Sequence, residues 1–176
     1  MNIEERIKHA MVDVHDFPSP GIVFKDITPL FQDPVLLNDI LDAMEQDCRH
    51  QGVEAIVGLE SRGFLLAVPL SMRLGIPFVM VRKKGKLPRA CHSVSYDLEY
   101  GSSTIEMHKD ALQPGKRVLI HDDVLATGGT AEAAARLVQL AGAEVVSFQF
   151  LVELSFLKGM EKMVSLAPRI TTFARY

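Results

Sequence analysis

Cysteine is scarce in this chain: Cys48 and Cys91 are the only two among 176 residues, far apart and without metal-ligand spacing. A disulfide framework and a thiolate cluster are thereby excluded, and reduced thiols in a cytoplasmic setting are expected. No apolar run approaches the ~20 residues needed to span a bilayer. The first residues, MNIEERIKHAM, carry too many charges for a secretory leader. A dominant charge is missing as well, and a net charge of −3 does not suit a general nucleic-acid binder. Internal repeats and low-complexity segments are absent. Two nucleotide signatures also fail. No Gly-x-Gly-x-x-Gly occurs, and Gly58 to Gly63 begins like a P-loop but continues with Phe64-Leu65 where Lys and Ser or Thr are required. His9, His15, His50, His92 and His108 show no metal spacing. These exclusions leave one globular domain over residues 1–176, large enough to bury a core.

Within that domain the pattern alternates. Ile3, Ile7, Met11 and Val14 predict an amphipathic first helix. Phe17 to Leu30, with Pro18, Pro20, Pro29 and Gly21, reads as irregular. Asp33-Pro34 caps a helix expected to run to about Gln51. Ala55 to Val57, Phe78 to Val81, Val118 to Ile120, Val145 to Leu151 and Ile170 to Phe173 read as strands. Gly63 to Leu74 and Ala131 to Leu140 read as helices, and Ser155 to Met163 as a short one. Strand–helix alternation implies a parallel sheet with right-handed crossovers. Pro88 to Ser103 breaks the pattern and predicts a hairpin-like excursion with Ile105 and Met107 inward.

The chemistry concentrates after the strands. Asp122 and Asp123 follow a buried strand, and Ala126-Thr127-Gly128-Gly129-Thr130 leads into a helix. Two glycines let the backbone turn its N–H groups inward, and a helix start adds unpaired donors and the positive dipole end. Thr127 and Thr130 add hydroxyls. A phosphate suits such a turn, whereas two carboxylates beside it suit sugar hydroxyls or a divalent metal. Together they describe a ribose 5-phosphate site. Arg82, Lys83, Lys84, Lys86 and Arg89 form a basic cluster on a mildly acidic chain, fit to neutralise a polyphosphate; a nucleic-acid patch and a solvated face are the plain alternatives.

The run HDDVLATGGT (His121 to Thr130) resembles the phosphoribosyl-diphosphate (PRPP) signature of the type I phosphoribosyltransferases. Four further blocks resemble the adenine branch of that family in order and spacing: Phe17 to Phe31, Gly58 to Phe64, Arg82 to Arg89 and Ser95 to Gly101. The similarity covers nearly the whole chain. It implies an α/β type I phosphoribosyltransferase-like fold, with a central, mostly parallel sheet flanked by helices. A small N-terminal hood would come from about residues 1–33, and a mobile hairpin-like loop from about residues 83–104. It also implies transfer of 5-phosphoribosyl from PRPP to adenine, giving AMP and diphosphate, by a cytoplasmic homodimer.

By the same resemblance Phe24 stacks on the purine, the main chain of Val23 and Lys25 reads the base edge, and Val124 closes the other face. Ser61, Arg62, Arg82, Lys83 and Lys86 hold diphosphate, with Lys84 and Arg89 peripheral. A cis peptide is implied between Glu60 and Ser61. Glu99 assists proton transfer at the purine, and Tyr100 helps to close the loop; Arg62 and Glu99 are the catalytic pair. Mg²⁺ is implied as cofactor, held mainly by the oxygens of PRPP and diphosphate and by water, with Asp122 the one candidate protein ligand. His121 departs from the family's usual apolar residue. Local hydrogen bonding is its plain reading; tuning of Asp122, or titration near neutral pH, is the other. Two rivals stay open: a phosphoribosyltransferase for another base such as xanthine, and a non-catalytic PRPP or AMP sensor, although no helix-turn-helix segment is evident.

Overall fold

The structure is a computed structural model that describes residues 1–97 and 101–176. Its first element, α1 (Ile3–Ala10), opens with a capping box in which Asn2 and Glu5 satisfy each other's backbone N–H groups. The helix expected through Val14 stops early. Val12–His15 is instead strand β1, paired antiparallel with β2 (Val23–Asp26). The apolar spacing satisfied a helical template, but the alternating, β-branched Val12 and Val14 also suit a strand, and a pairing partner decides. The same pairing makes a strand within the supposedly irregular Phe17 to Leu30, and a 3-10 turn (Thr28–Gln32) follows.

The remaining elements follow the predicted order. Asp33 caps α2 (Pro34–Cys48) by accepting from the Val35 and Leu36 amides, and the helix ends slightly before the expected Gln51. Then come β3 (Ala55–Leu59), α3 (Gly63–Leu74) and β4 (Phe78–Lys83). Gly75 ends α3 in the left-handed region, at φ 64°. The excursion is a hairpin of β5 (Cys91–Asp97) and β6 (Ser102–His108), with Ile105 and Met107 buried as expected. β7 (Arg117–Leu125), α4 (Gly129–Leu140), β8 (Glu144–Glu153), α5 (Gly159–Met163) and β9 (Arg169–Arg175) complete the chain. Where one short helix was expected after Leu154, a 3-10 turn at Ser155–Leu157 precedes α5.

The main sheet has the order β5-β6-β4-β3-β7-β8-β9. From β4 to β9 its neighbours run parallel; β6 joins β4 antiparallel and carries β5 at the edge. Each face buries its own core. Val57, Ile120, Phe148 and Phe150 meet Ala134, Leu137 and Val138 of α4. On the other face Ile56, Leu119 and Leu151 meet Ile40, Met44, Leu66 and Leu70 of α2 and α3. From β3 the chain first moves outward to β4 and later returns to β3's opposite side as β7. That reversal opens a crevice beyond the carboxyl ends of β3 and β7, the usual ligand position in such sheets. No helix among the described residues is long and apolar enough to cross a membrane.

Candidate active site

β7 runs through Asp122 and Asp123 to Leu125, so the acidic pair sits in the strand itself, not in a loop after it. Strand geometry sends adjacent side chains apart, and the two acids have different surroundings. Asp122 lies against Gly63 at the start of α3, where an added β-carbon would come within 2.8 Å of Asp122 Oδ1. The same oxygen accepts the Asp123 amide at 2.9 Å. Burial, then the neighbouring Asp123 charge, pushes the Asp122 carboxyl well above the usual carboxylate range. Asp123 is buried more fully than the half-buried Asp122, with Arg62 Nε 2.6 Å from its Oδ2. The N–H is not aimed at that oxygen, which has no well-formed hydrogen bond. The contact is therefore a charge pair whose acceptor capacity remains for a ligand.

Arg62 also reaches the hood, its guanidinium lying 5.6 Å from the centre of the Phe24 ring. Phe24 in turn meets Phe17 edge-to-face at 5.2 Å, so one arginine links the half-buried aromatic of β2 to the acids of β7. The Lys25 ammonium is engaged within the hood, 2.7 Å from Asp13 Oδ1 and 4.3 Å from the centre of the Tyr176 ring. Val23 is exposed on β2, and Val124 packs beside the α2–α3 core.

The phosphate turn has the expected form. Gly128 takes φ 79° and caps α4 without a side-chain hydrogen bond, so the first-turn amides of the helix have no cap of their own. Residues from Asp122 and Val124 through Ala126, Thr127, Gly128, Gly129 and Thr130, with Phe150 behind, enclose a cavity of about 60 Å³. A residue without sequence signal supports the turn: at Gly159 an added β-carbon would collide with the Ala126 carbonyl oxygen. Only the folded contact reveals it.

Across the crevice the Glu60–Ser61 peptide is cis, as the resemblance implied. The Glu60 side chain was not singled out from sequence, yet it organises the basic segment. It accepts from Arg82 Nε at 3.2 Å and from the Lys83 amide at 2.8 Å. Burial works against its ionisation, but the Lys83 amide and then Arg82 outweigh that, holding the Glu60 carboxyl below its ordinary range. Lys83 to Lys86 form a turn closed by the Lys86 amide on the Lys83 carbonyl, with the lysines exposed. The buried Glu106 accepts the Gly85 amide at 2.9 Å and the Ser93 hydroxyl at 3.0 Å, fixing this turn to the hairpin. Arg89 pairs with Asp110, and Ser61 is exposed beside Arg62. Glu99 and Tyr100 lie outside the described residues.

His121 is fully buried, and neither ring nitrogen has a well-formed hydrogen bond. Its local partner is the Gln149 main chain, close to the ring but short of a well-aligned bond. Burial lowers its pKa to about 4, although the nearby Gln149 main chain opposes the drop, so titration near neutral pH is overturned. For a metal, no group of three His, Cys, Asp or Glu side chains converges among the described residues. The donors present suit a hard cation carried in by substrate oxygens, with Asp122 the one candidate carboxyl ligand.

An adjacent acid pair, a Gly-rich turn opening a helix and a basic segment meet at one sheet reversal, an arrangement suited to an enzyme that handles phosphoribosyl groups. A model of the phosphoribosyl transferase domain matches residues 29–167, and the chain belongs to that family. Within it, the chain belongs to the adenine phosphoribosyltransferases. It is 51% identical over 170 residues to the adenine phosphoribosyltransferase of Cytophaga hutchinsonii, spanning 97% of this chain and 92% of that one. The crystal structure of the Thermoanaerobacter pseudethanolicus enzyme superposes with a TM-score of 0.94 at 43% identity, over 99% of this chain and 100% of that one. The Saccharomyces cerevisiae enzyme, complexed with adenine and an imino-altritol bisphosphate, gives 0.90 at 40% identity, over 97% and 98% of the two chains.

Proposed function

We infer that this chain transfers 5-phosphoribosyl from PRPP to N9 of adenine, releasing diphosphate and forming AMP. The observation that carries the reading is the meeting of Asp122, Asp123 and the Gly128–Thr130 turn with Arg62 and Phe24 in one crevice. In the reaction the bond from C1 of the ribose to diphosphate breaks, the bond from C1 to N9 forms, and N9 gives up its proton. Charge grows on the departing diphosphate while the sugar becomes oxocarbenium-like. Arg62, Arg82, Lys83 and Lys86 supply positive charge where the diphosphate leaves, and Ser61 a hydroxyl donor, an electrostatic contribution that is usually the largest single one. Ala126 to Thr130 anchor the 5-phosphate, and Asp122 and Asp123 accept from the ribose hydroxyls, which fixes C1 for attack. Mg²⁺ would supply further neutralisation of the diphosphate, held mainly by the oxygens of PRPP and diphosphate and by water, with Asp122 the one candidate protein ligand.

Phe24 and Val124 sandwich the purine, and the main chain of Val23 and Lys25 selects its edge. Glu99 takes part in moving the N9 proton and Tyr100 in covering the site, by family resemblance; Glu99→Gln with full turnover would remove that role. A homodimer is supported by an exposed apolar stripe on α3. Leu65, Val68 and Met72 are 52%, 39% and 76% exposed, and Met80 on adjacent β4 is 47% exposed. Two free cysteines suit a cytoplasmic protein. The test is diphosphate release from PRPP with adenine, hypoxanthine and guanine in turn. Release with adenine alone is expected; equal release with another base would overturn the assignment.

A further inference from the structure

We propose that Tyr96, on the hairpin strand β5, is a positioning residue for the 5-phosphate, acting through the hydroxyl of Thr130. Its hydroxyl lies 3.0 Å from Thr130 Oγ1. Its ring lies over Gly129, where an added β-carbon would come within 3.4 Å of Tyr96 Cδ2 and 3.7 Å of the Asp97 carbonyl oxygen. The hairpin therefore rests on the two residues that open α4, its aromatic ring at van der Waals distance above Gly129. Beside this contact is a cleft of about 280 Å³ lined in part by Tyr96, Gly129, Glu132 and Arg136.

The consequence lies in hydrogen-bond polarity. A threonine hydroxyl has one proton to donate and lone pairs to accept with. With no ligand at the turn, either Tyr96 or Thr130 can be the donor of their shared bond. A phosphate dianion only accepts, so its arrival commits the Thr130 proton to the phosphate. Thr130 then becomes the acceptor and Tyr96 the donor. Donation by the phenol makes the threonine a better donor in turn, because chained hydrogen bonds polarise one another. Tyr96 thus strengthens the grip on the phosphate without touching it, and the base of the hairpin is tied to the occupied turn.

The inference rests on the 5-phosphate occupying this turn, and its test separates the two. Ribose 5-phosphate binding is measured by calorimetry on the wild type and on Tyr96→Phe, which keeps the ring over Gly129 and removes only the hydroxyl. Alongside it, KM for PRPP, KM for adenine and the thermal midpoint are compared. The expected result is a roughly three- to tenfold loss of ribose 5-phosphate affinity, the worth of one hydrogen bond. A matching rise in KM for PRPP is expected, with KM for adenine and the midpoint unchanged. Unaltered ribose 5-phosphate affinity in Tyr96→Phe overturns the role of Tyr96, and so does an equal weakening toward adenine with a lowered midpoint. A wild-type protein that does not bind ribose 5-phosphate overturns the underlying reading itself.

Discussion

At the scale of single residues, the neighbours His121 and Asp122 make opposite contributions to pH dependence. An unfolded histidine takes up its proton near pH ~6.5, whereas buried His121 resists until about pH 4. Between those values the unfolded chain binds more protons, so the stability contributed above pH ~6.5 is lost as pH falls through the window, by about 3 kcal/mol at 1.36 per unit. His121→Leu should therefore flatten the fall in unfolding free energy between pH 6.5 and 4, measured by denaturant titration, and leave the pH–rate profile unchanged. Asp122 has the reverse sign. Its folded-state pKa is raised, so its stabilising effect belongs to low pH and disappears as pH rises through that value. Asp122→Asn keeps an oxygen for the Asp123 amide. It should melt about 2–4 °C higher at neutral pH, the shift expected for ~1 kcal/mol in a chain of this size, while losing PRPP affinity. An unchanged or lower midpoint would contradict the unfavourable burial of that carboxyl.

At the scale of elements, what could be read in advance divides by the range of the interactions involved. The strand–helix units from Ala55 to Leu140 were legible because apolar runs, caps and Gly75 act locally. The form of the Ala126–Thr130 turn was legible because its glycines, threonines and following helix are contiguous. The hood was not, since Val12–His15 and Val23–Asp26 become strands only by pairing with each other. Glu60, Tyr96 and Gly159 were missed for the same reason, as each meets partners distant in sequence. The hood also gives its own expectation. Phe24 is braced by Phe17 on one side and approached by Arg62 on the other. Phe24→Ala should raise KM for adenine by roughly tenfold, within the ~1–3 kcal/mol typical of base stacking, and change KM for PRPP much less. Steady-state kinetics with each substrate varied in turn checks this split.

At the scale of the whole molecule, the sheet is covered by helices on both faces, yet α3 turns Leu65, Val68 and Met72 outward. Spacings of three and four residues give one continuous face, and a monomer would leave it in water. On the proposed homodimer, the double substitution Leu65→Asp/Met72→Asp should shift the protein from dimer to monomer in sedimentation velocity, with the fold preserved by circular dichroism. A wild type that sediments as a monomer would instead leave the stripe without a partner copy.

The closeness of Gly63 to Asp122 reaches beyond any one reaction step. Because the missing side chain at position 63 is what gives the acid its room, drift at this site is blocked by packing alone. A saturation library selected for growth on salvaged base should return glycine there almost without exception, while the exposed, neighbouring Leu65 varies among apolar residues. The fold has thus placed one of its strictest demands on the residue with least to show for it.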